Sequence, residues 1–412
     1  MVIPFRGPVW RVIPPSVRTY RGNIWRFFVV QGLIHFLLWI PIWVVFLQDK
    51  GLSLTQIGVL ESVAWVLSAG LEVPSGAIAD RWGRKASMAI GTFLYSLAML
   101  LILTEALSPT FLLGYALWNT SFAFISGADT AFLYDSLKAD GRAAEAAKQS
   151  GRYLAITAGS QGIASVVGAA VATLDITLCF TIGAVTGLAA TALVLTFKEP
   201  PRLEEGESQL SFVRNLRIAV GIAARRPVVR WLLLLTTGFA VVPFIVYYVL
   251  LQPYALAVAL PIAWLGVVVL GVQFAGVAAS WLAHRAQGHV GLPALVAGGI
   301  AITLVATALL GLLPSIPALA LFVVVALVPA AAQPLLSARL NDMIPSAQRA
   351  TIISLSALIF ELGLAVAIPM LLGLADVFGA PATIGFSAAV YAVTIIPFAI
   401  LWPVAERKSA PA

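Results

Sequence analysis

His35, Glu61, Glu72, Asp129 and Glu361 are ionisable side chains set inside otherwise apolar runs. A charge at the depth of a lipid bilayer costs roughly 2.5–3.5 kcal/mol on insertion scales, so such groups face a polar cavity or a partner and are candidate site residues by default. Glu61 and Glu72 are eleven residues apart. On a helix that spacing returns them to within about 20° of one face, about 16 Å apart along the axis. Gln31 and His35, at i and i+4, make a polar patch near the middle of their run, and Glu361 lies near the midplane of its own. A carboxyl group withheld from water favours its protonated form, so the chemistry on offer is proton uptake and release beside a bound solute. Bracing of nearby structure competes with that role. It is the preferred reading for Glu72, which adjoins Pro74, and a gate or packing role is preferred for Asp129, nearer one end of its run. Glu61 is assigned to the site, whereas His35 and Glu361 stand open between site and satisfied core residue.

The elements that must carry these groups follow from composition. Of 412 residues, 60% are hydrophobic and 10% charged, with a mean hydropathy of +0.98. A soluble globular chain is about 45–50% apolar and about 25% charged, so a soluble enzyme is excluded and an all-α polytopic membrane protein is indicated. Twelve membrane helices are predicted, at 24–47, 54–79, 86–106, 109–137, 150–173, 176–197, 229–253, 260–284, 291–313, 316–341, 349–374 and 381–404. With both termini on the cytoplasmic side, Lys50 is the only one of the 25 Lys and Arg residues left outside, as the positive-inside bias requires. Arg6, Arg11, Arg18, Arg21 and Arg26 precede the first run, which is too long for the apolar stretch of a signal peptide and lacks a small-residue cleavage site, so it reads as a retained span.

The longest break divides the chain into an N-terminal six-helix bundle at 1–197, a linker at 198–228 and a C-terminal six-helix bundle at 229–412. The linker carries Glu204, Glu205 and Glu207, then a basic amphipathic stretch with Leu210, Phe212, Val213, Leu216 and Val220, suited to lying along the inner interface. The halves echo each other. Gly76-Ala-Ile-Ala-Asp80-Arg81-Trp-Gly83-Arg84-Lys85 has a degraded counterpart in Ser280-Trp-Leu-Ala-His284-Arg285-Ala-Gln287-Gly-His289, about half a chain later, as duplication of a six-helix unit leaves it.

Other chemistries lack their residues. A single cysteine, Cys179, excludes an internal disulfide or a cysteine zinc site, and three scattered histidines give no metal-ligand spacing. No Walker or dinucleotide loop follows a strand, so ATP-driven transport is disfavoured and no cofactor is expected; a proton gradient is the expected drive. The formal charge of +7 sits in loops rather than in a stripe with aromatics, which argues against nucleic acid. Trp39, Trp43, Trp65, Trp118, Tyr247 and Tyr248 offer walls for an apolar or aromatic ligand, although packing and interface anchoring are commoner roles. Ala155, Gly159, Gly162 and Gly168 in the fifth helix read as a ladder for close helix packing.

The Gly76 to Lys85 segment, between the second and third of twelve spans, resembles the signature loop of the major facilitator superfamily (MFS). Glu72-Val73-Pro74-Ser75, the stretch from Ser126 to Leu137, and Arg349-Ala350-Thr351-Ile352-Ile353-Ser354-Leu355 resemble one branch of its bacterial members, and the similarity spans essentially the whole chain. Independently of the name, Gly76 and Gly83 allow a tight turn and close approach, while Asp80, Arg81, Arg84 and Lys85 must pair locally. The resemblance implies a conformational latch of Gly76, Asp80, Arg81, Gly83, Arg84 and Asp135. In it Asp80 rests against the start of the eleventh helix near Arg349 to Ser354, and Arg84 bridges towards Asp135. The alternative is that the basic residues are topology determinants and Asp80 a solubilising partner.

Drug and proton antiporters of this superfamily carry a basic residue before a Gln-Gly pair in the fourth helix and a Gly-Pro motif in the fifth. Phe122-Ala123-Phe124 with Ser126-Gly127, and Gly162-Ile163-Ala164 with Val167-Gly168-Ala169, stand there instead, which weakens proton-driven drug efflux. The resemblance implies a secondary transporter working by alternating access; export of a small, partly apolar organic solute, coupled to protons through the embedded carboxylates, is the preferred assignment, by a monomer in the cytoplasmic membrane. Uptake of a metabolite by the same fold, or a transport-inactive sensor or scaffold, are the alternatives. Gln31, His35, Glu61, Glu72, Asp129 and Glu361 are the candidates for substrate or proton coupling.

Overall fold

The computed structural model describes residues 20–201, 212–286 and 291–409. Among these residues the chain is helical without strands: α1 (Arg21–Ile34), α2 (Trp43–Asp49), α3 (Leu54–Trp82), α4 (Arg84–Leu101), α5 (Pro109–Ile125), α6 (Ala128–Ala139), α7 (Ala146–Ala172), α8 (Thr177–Leu195), α9 (Phe212–Arg225), α10 (Pro227–Phe244), α11 (Leu251–Ala257), α12 (Ile262–Ala286), α13 (Leu292–Leu312), α14 (Ala320–Asp342), α15 (Ser346–Phe378) and α16 (Ala380–Ser409). Local chemistry sets the limits of these rods. Ser53 and Gln56 form a reciprocal capping box that starts α3, and Ser108 caps α5 with Pro109 in its first turn. Gly83, at φ +100°, ends α3 and opens α4.

Every predicted span coincides with helix, but two of them are not single rods. The first breaks between α1 and α2, where Pro41 lacks the N–H that an unbroken helix would need. The fourth breaks at Gly127, whose φ is +78°. The seventh continues from α10 through a π-turn at Ile245–Leu250 into α11, between Pro243 and Pro253. Among the described residues, eight helical stretches are long and apolar enough to cross a membrane, with a shorter apolar one at Ile262–Gly276. The predicted spans that miss this measure are the two broken ones, the third, which opens on Arg84 and Lys85, and the eighth.

The turns around Gly83, Gly141 and Pro345 form the basic end of the rods, and those around Gly51, Leu107, Leu174, Ala259 and Gly379 form the far end. At the far end Lys50 Nζ donates to the carbonyls of Leu103 (3.0 Å) and Thr104 (2.6 Å), neutralising the C-terminus of α4. Within the first half of the chain α4 packs on α5 and α8; within the second, α13 packs on α16 and α12 on α14. Two antiparallel pairs join the halves, α3 with α15 and α7 with α12. Val393 and Leu312 are among many large apolar side chains left exposed, as lipid contact requires. Glu204, Glu205, Glu207 and Leu210 in the linker, Arg6, Arg11 and Arg18 near the N-terminus, and the side chains of the Ser280 to His289 echo lie outside the described residues. The amphipathic stretch does form a helix, α9, which packs on α10 and α15.

Candidate functional site

The first break in the chain positions much of the centre. Ile40 leaves a carbonyl in the break, and Val44 and Val45, in the first turn of α2, leave N–H groups without a partner in that helix; such groups must be satisfied by protein at bilayer depth. Gln252 of α11 satisfies all three: its Oε1 accepts from Val44 N (2.8 Å) and Val45 N (3.3 Å), and its Nε2 donates to Ile40 O (3.0 Å). That bridge joins the first and seventh segments and sets Trp39, Trp43 and Tyr248 around a common space.

Glu61 enters this space from α3. It is buried, at 8% exposure, and accepts a hydrogen bond from the Tyr115 hydroxyl of α5. The cavity beside it has a volume of about 230 Å³ and is lined by Trp39, Trp43, Glu61, Trp65, Ser68, Trp118, Asn119, Phe122 and Tyr248. Its rings brace one another: Trp39 and Trp118 meet edge to face at 4.4 Å, and Tyr115 and Trp118 at 5.5 Å. Trp39, Phe122 and Tyr248 also border a second cavity of about 300 Å³, where Tyr247, Gln161, Gln252 and Gln273 add polar groups. All six aromatic residues singled out in the sequence therefore line one or other chamber.

The remaining candidates divide. Gln31, His35 and Asp129 gather into a separate cluster on α1, the break after it, and α6. Asp129 Oδ2 accepts from Tyr153 OH (2.9 Å) and Gln31 Nε2 (3.4 Å), Oδ1 accepts from Thr130 N (2.6 Å), and His35 Nδ1 lies 3.0 Å from Gln31 O. These polar groups tie α1, α6 and α7 together away from both chambers. Glu361 is half-buried on α15 and borders neither chamber, while the side chain of Glu72 lies outside the described residues.

At the basic end Arg84 pairs with Asp135 and donates to Ala131 O (2.6 Å). Glu199, which sequence reasoning missed, accepts from the backbone N–H groups of Arg84 (2.8 Å) and Lys85 (2.9 Å) and so caps α4 with a negative charge. Gly83 is doubly constrained, by its positive φ and because a Cβ there would sit 2.8 Å from the Glu199 carboxylate. Asp80 and Arg81 are exposed, and Asp80 meets no partner among the described residues, so its expected seat at the start of α15 is not made in this conformation. A Cβ on Gly76 would meet open space, so the expected close approach is not made there either.

The halves meet at the far end and part at the basic end. A Cβ on Gly58 would lie 2.8 Å from Pro369 Cα, one on Gly162 2.9 Å from Leu270, and one on Gly266 2.2 Å from Ser165 O. Further along α7, towards the basic end, Gly151 and Gly159 have nothing within 4 Å. The expected packing ladder of α7 is thus realised at Gly162 and Gly168 but not at Gly159. Asp376, at the end of α15, closes the far end by accepting from Leu54 N (2.8 Å), Thr55 N (2.6 Å) and Thr55 Oγ1 (2.5 Å) at the start of α3. A third cavity, about 400 Å³ and lined by Thr236, Thr237, Gln333, Ser337, Asn341 and Ser356 among others, lies on the parted side. Phe360 borders it and packs against Trp65 at 6.5 Å, next to the aromatic chamber.

Comparison with known proteins places this geometry. A family model described as Major Facilitator Superfamily matches residues 24–313. An uncharacterized MFS-type transporter, YxaM, of Bacillus subtilis (strain 168) is 37% identical over 93 residues, covering 21% of this chain and 22% of the relative. Among solved structures, a mutant of the nucleoside transporter NupG superposes with a TM-score of 0.75 at 12% identity, over 93% of this chain and 100% of that one. A bacterial homologue of the human lysosomal transporter Spinster, in an inward-facing and unoccupied conformation, gives 0.70 at 18% identity over 96% and 100%. The D-xylose-proton symporter gives 0.69 at 15% over 93% and 98%. At these identities the structures establish a shared fold.

Proposed function

From the premise that this chain belongs to the Major Facilitator Superfamily, and so is a multi-pass membrane transporter of a small solute rather than an enzyme, we propose that it exports a small organic solute in exchange for protons. The observation that carries this reading is Glu61, a buried carboxyl group on the wall of an aromatic chamber and hydrogen-bonded by Tyr115. A charged carboxylate there is costly unless neutralised, and a proton is the simplest neutralising partner. Residues 1–197 and 229–412 act as two six-helix bundles that rock about the chamber, the clasp of α3 on α15 and α7 on α12 exchanging with contacts at the basic end. The basic end is cytoplasmic, with both termini there, in the cytoplasmic membrane. The protein works as a monomer, without a cofactor. Asp80, Arg81 and Gly76 then belong to a latch engaged when the basic end closes, with Arg84, Asp135 and Gly83 as its fixed side.

Proteoliposomes holding a pH-sensitive dye test this. Adding a transported solute from a broad metabolite and drug panel should move protons, and Glu61→Gln should cut that movement about tenfold or more, as loss of an essential proton-transfer group does. If no solute moves protons, and Glu61→Gln and Glu361→Gln match the wild type, the chain is a scaffold rather than a proton-coupled transporter.

A further inference from the structure

We infer that the chamber beside Glu61 is a cage for an organic cation: one positive charge carried next to an apolar group of about the size of an aromatic ring. This rests on the reading that the chamber holds the transported solute, and it names the class of that solute. Glu61 is the only charged residue lining this chamber, and it forms no ion pair among the described residues. Among the described residues, no charged one lines the adjoining chamber. An acid buried without a cation of its own is neutral only with a proton or with a positive ligand, and an anionic ligand would meet repulsion with nothing to offset it.

The walls suit a cation as well. Trp39, Trp43, Trp65, Trp118 and Tyr248 surround the carboxyl group, and indole and phenol faces attract ammonium groups, most strongly where water is excluded. The second chamber, which shares Trp39, Phe122 and Tyr248 with the first, offers the amides of Gln161, Gln252 and Gln273, which suits a neutral polar tail. Tyr115 holds Glu61 from the side by its hydroxyl, so it fixes where the ligand charge must sit; it is a positioning residue.

A matched pair of probes reads the charge alone. Benzyltrimethylammonium and neopentylbenzene have nearly the same shape and differ by the positive nitrogen, and phenylacetate supplies the anion. Binding to the purified full chain in detergent, followed by quenching of tryptophan fluorescence at neutral pH, should favour the cation over its neutral isostere by about tenfold or more, with no binding of phenylacetate. Glu61→Gln should cut that preference to the small part the aromatic faces supply, about threefold or less, while leaving the neutral probe unchanged, and Glu61→Asp, which keeps the charge, should retain it. Equal binding of the two isosteres by the wild type, an unaltered preference in Glu61→Gln, or binding of phenylacetate would overturn the inference. The assay imposes no gradient. Cation binding through Glu61 with no proton movement in liposomes therefore removes proton coupling alone, whereas proton movement with some other solute and no cation preference removes the cage alone.

Discussion

Replacing Asp376 by Asn should loosen the far end and shift the protein towards a form open on that side. The carboxylate uses both oxygens: Oδ1 accepts from Leu54 N, and Oδ2 accepts from Thr55 N and Thr55 Oγ1. Asn supplies one acceptor oxygen. Placed towards Thr55, it sets its amide N–H group against the N–H of Leu54, so a charge-assisted bond is exchanged for two donors facing each other. The negative charge at the N-terminus of α3 is lost too. A hydrogen bond to a charged group contributes about 1.5–3 kcal/mol and a charge at a helix N-terminus about 0.3–1 kcal/mol. Asp376 and Thr55 are solvent-exposed, so screening reduces the sum to about 1–2 kcal/mol, which is roughly fivefold to thirtyfold in the closed-to-open ratio. Spin labels at Leu174→Cys and Leu313→Cys report the ratio, since both sites are exposed far-end positions, 82% and 63%, in opposite halves. Cys179, the one native cysteine and a buried one, is first changed to Ala. Pulsed electron paramagnetic resonance should show one short distance for the parent and an added longer population for Asp376→Asn. An unchanged distance distribution would refute the assignment of Asp376 as the clasp.

Further substitutions probe the same architecture at other points. Gly58→Ala places a methyl group 2.8 Å from the backbone of Pro369 and should lower the melting temperature, overpacking of this kind costing about 1–3 kcal/mol; Gly70→Ala on the same helix meets nothing within 4 Å and should leave it unchanged or slightly raised. Glu199→Ala removes the acceptor for the first two N–H groups of α4 and should cost about 1 kcal/mol, seen as a lower melting temperature that Glu199→Gln partly restores.

The rods were legible because a membrane helix must be apolar along its whole length, a signal carried by each segment alone. The breaks were less so: Pro41 and Gly127 sit inside runs apolar enough to read as continuous, and what permits the first of them is Gln252, some two hundred residues further on. The same distance hid the clasp, for nothing near Asp376 in the sequence points to Leu54 and Thr55. Glu61 and the aromatic residues stood out by type, yet their meeting with Tyr115 and with one another depends on which faces of four segments turn inward, and periodicity is weak in helices that are apolar all round. Depth along the run separated a gate or packing role for Asp129 from a site role for Glu61, but not their partners: the fold gives Asp129 two side-chain donors in a separate cluster and sets Glu61 on the chamber wall. The signature loop shows a further reason why sequence and structure differ. A transporter sequence encodes contacts of more than one conformation, and one structure realises a single set. Gly58 and Gly162 are closely packed here while Gly70, Gly159 and Asp80 face open space. If the basic end closes by the same glycine-mediated approach that holds the far end, the vacant face of α7 at Gly159 is where part of the second set of contacts forms, and a bulky side chain at Gly159 should trap the protein as it stands in this structure.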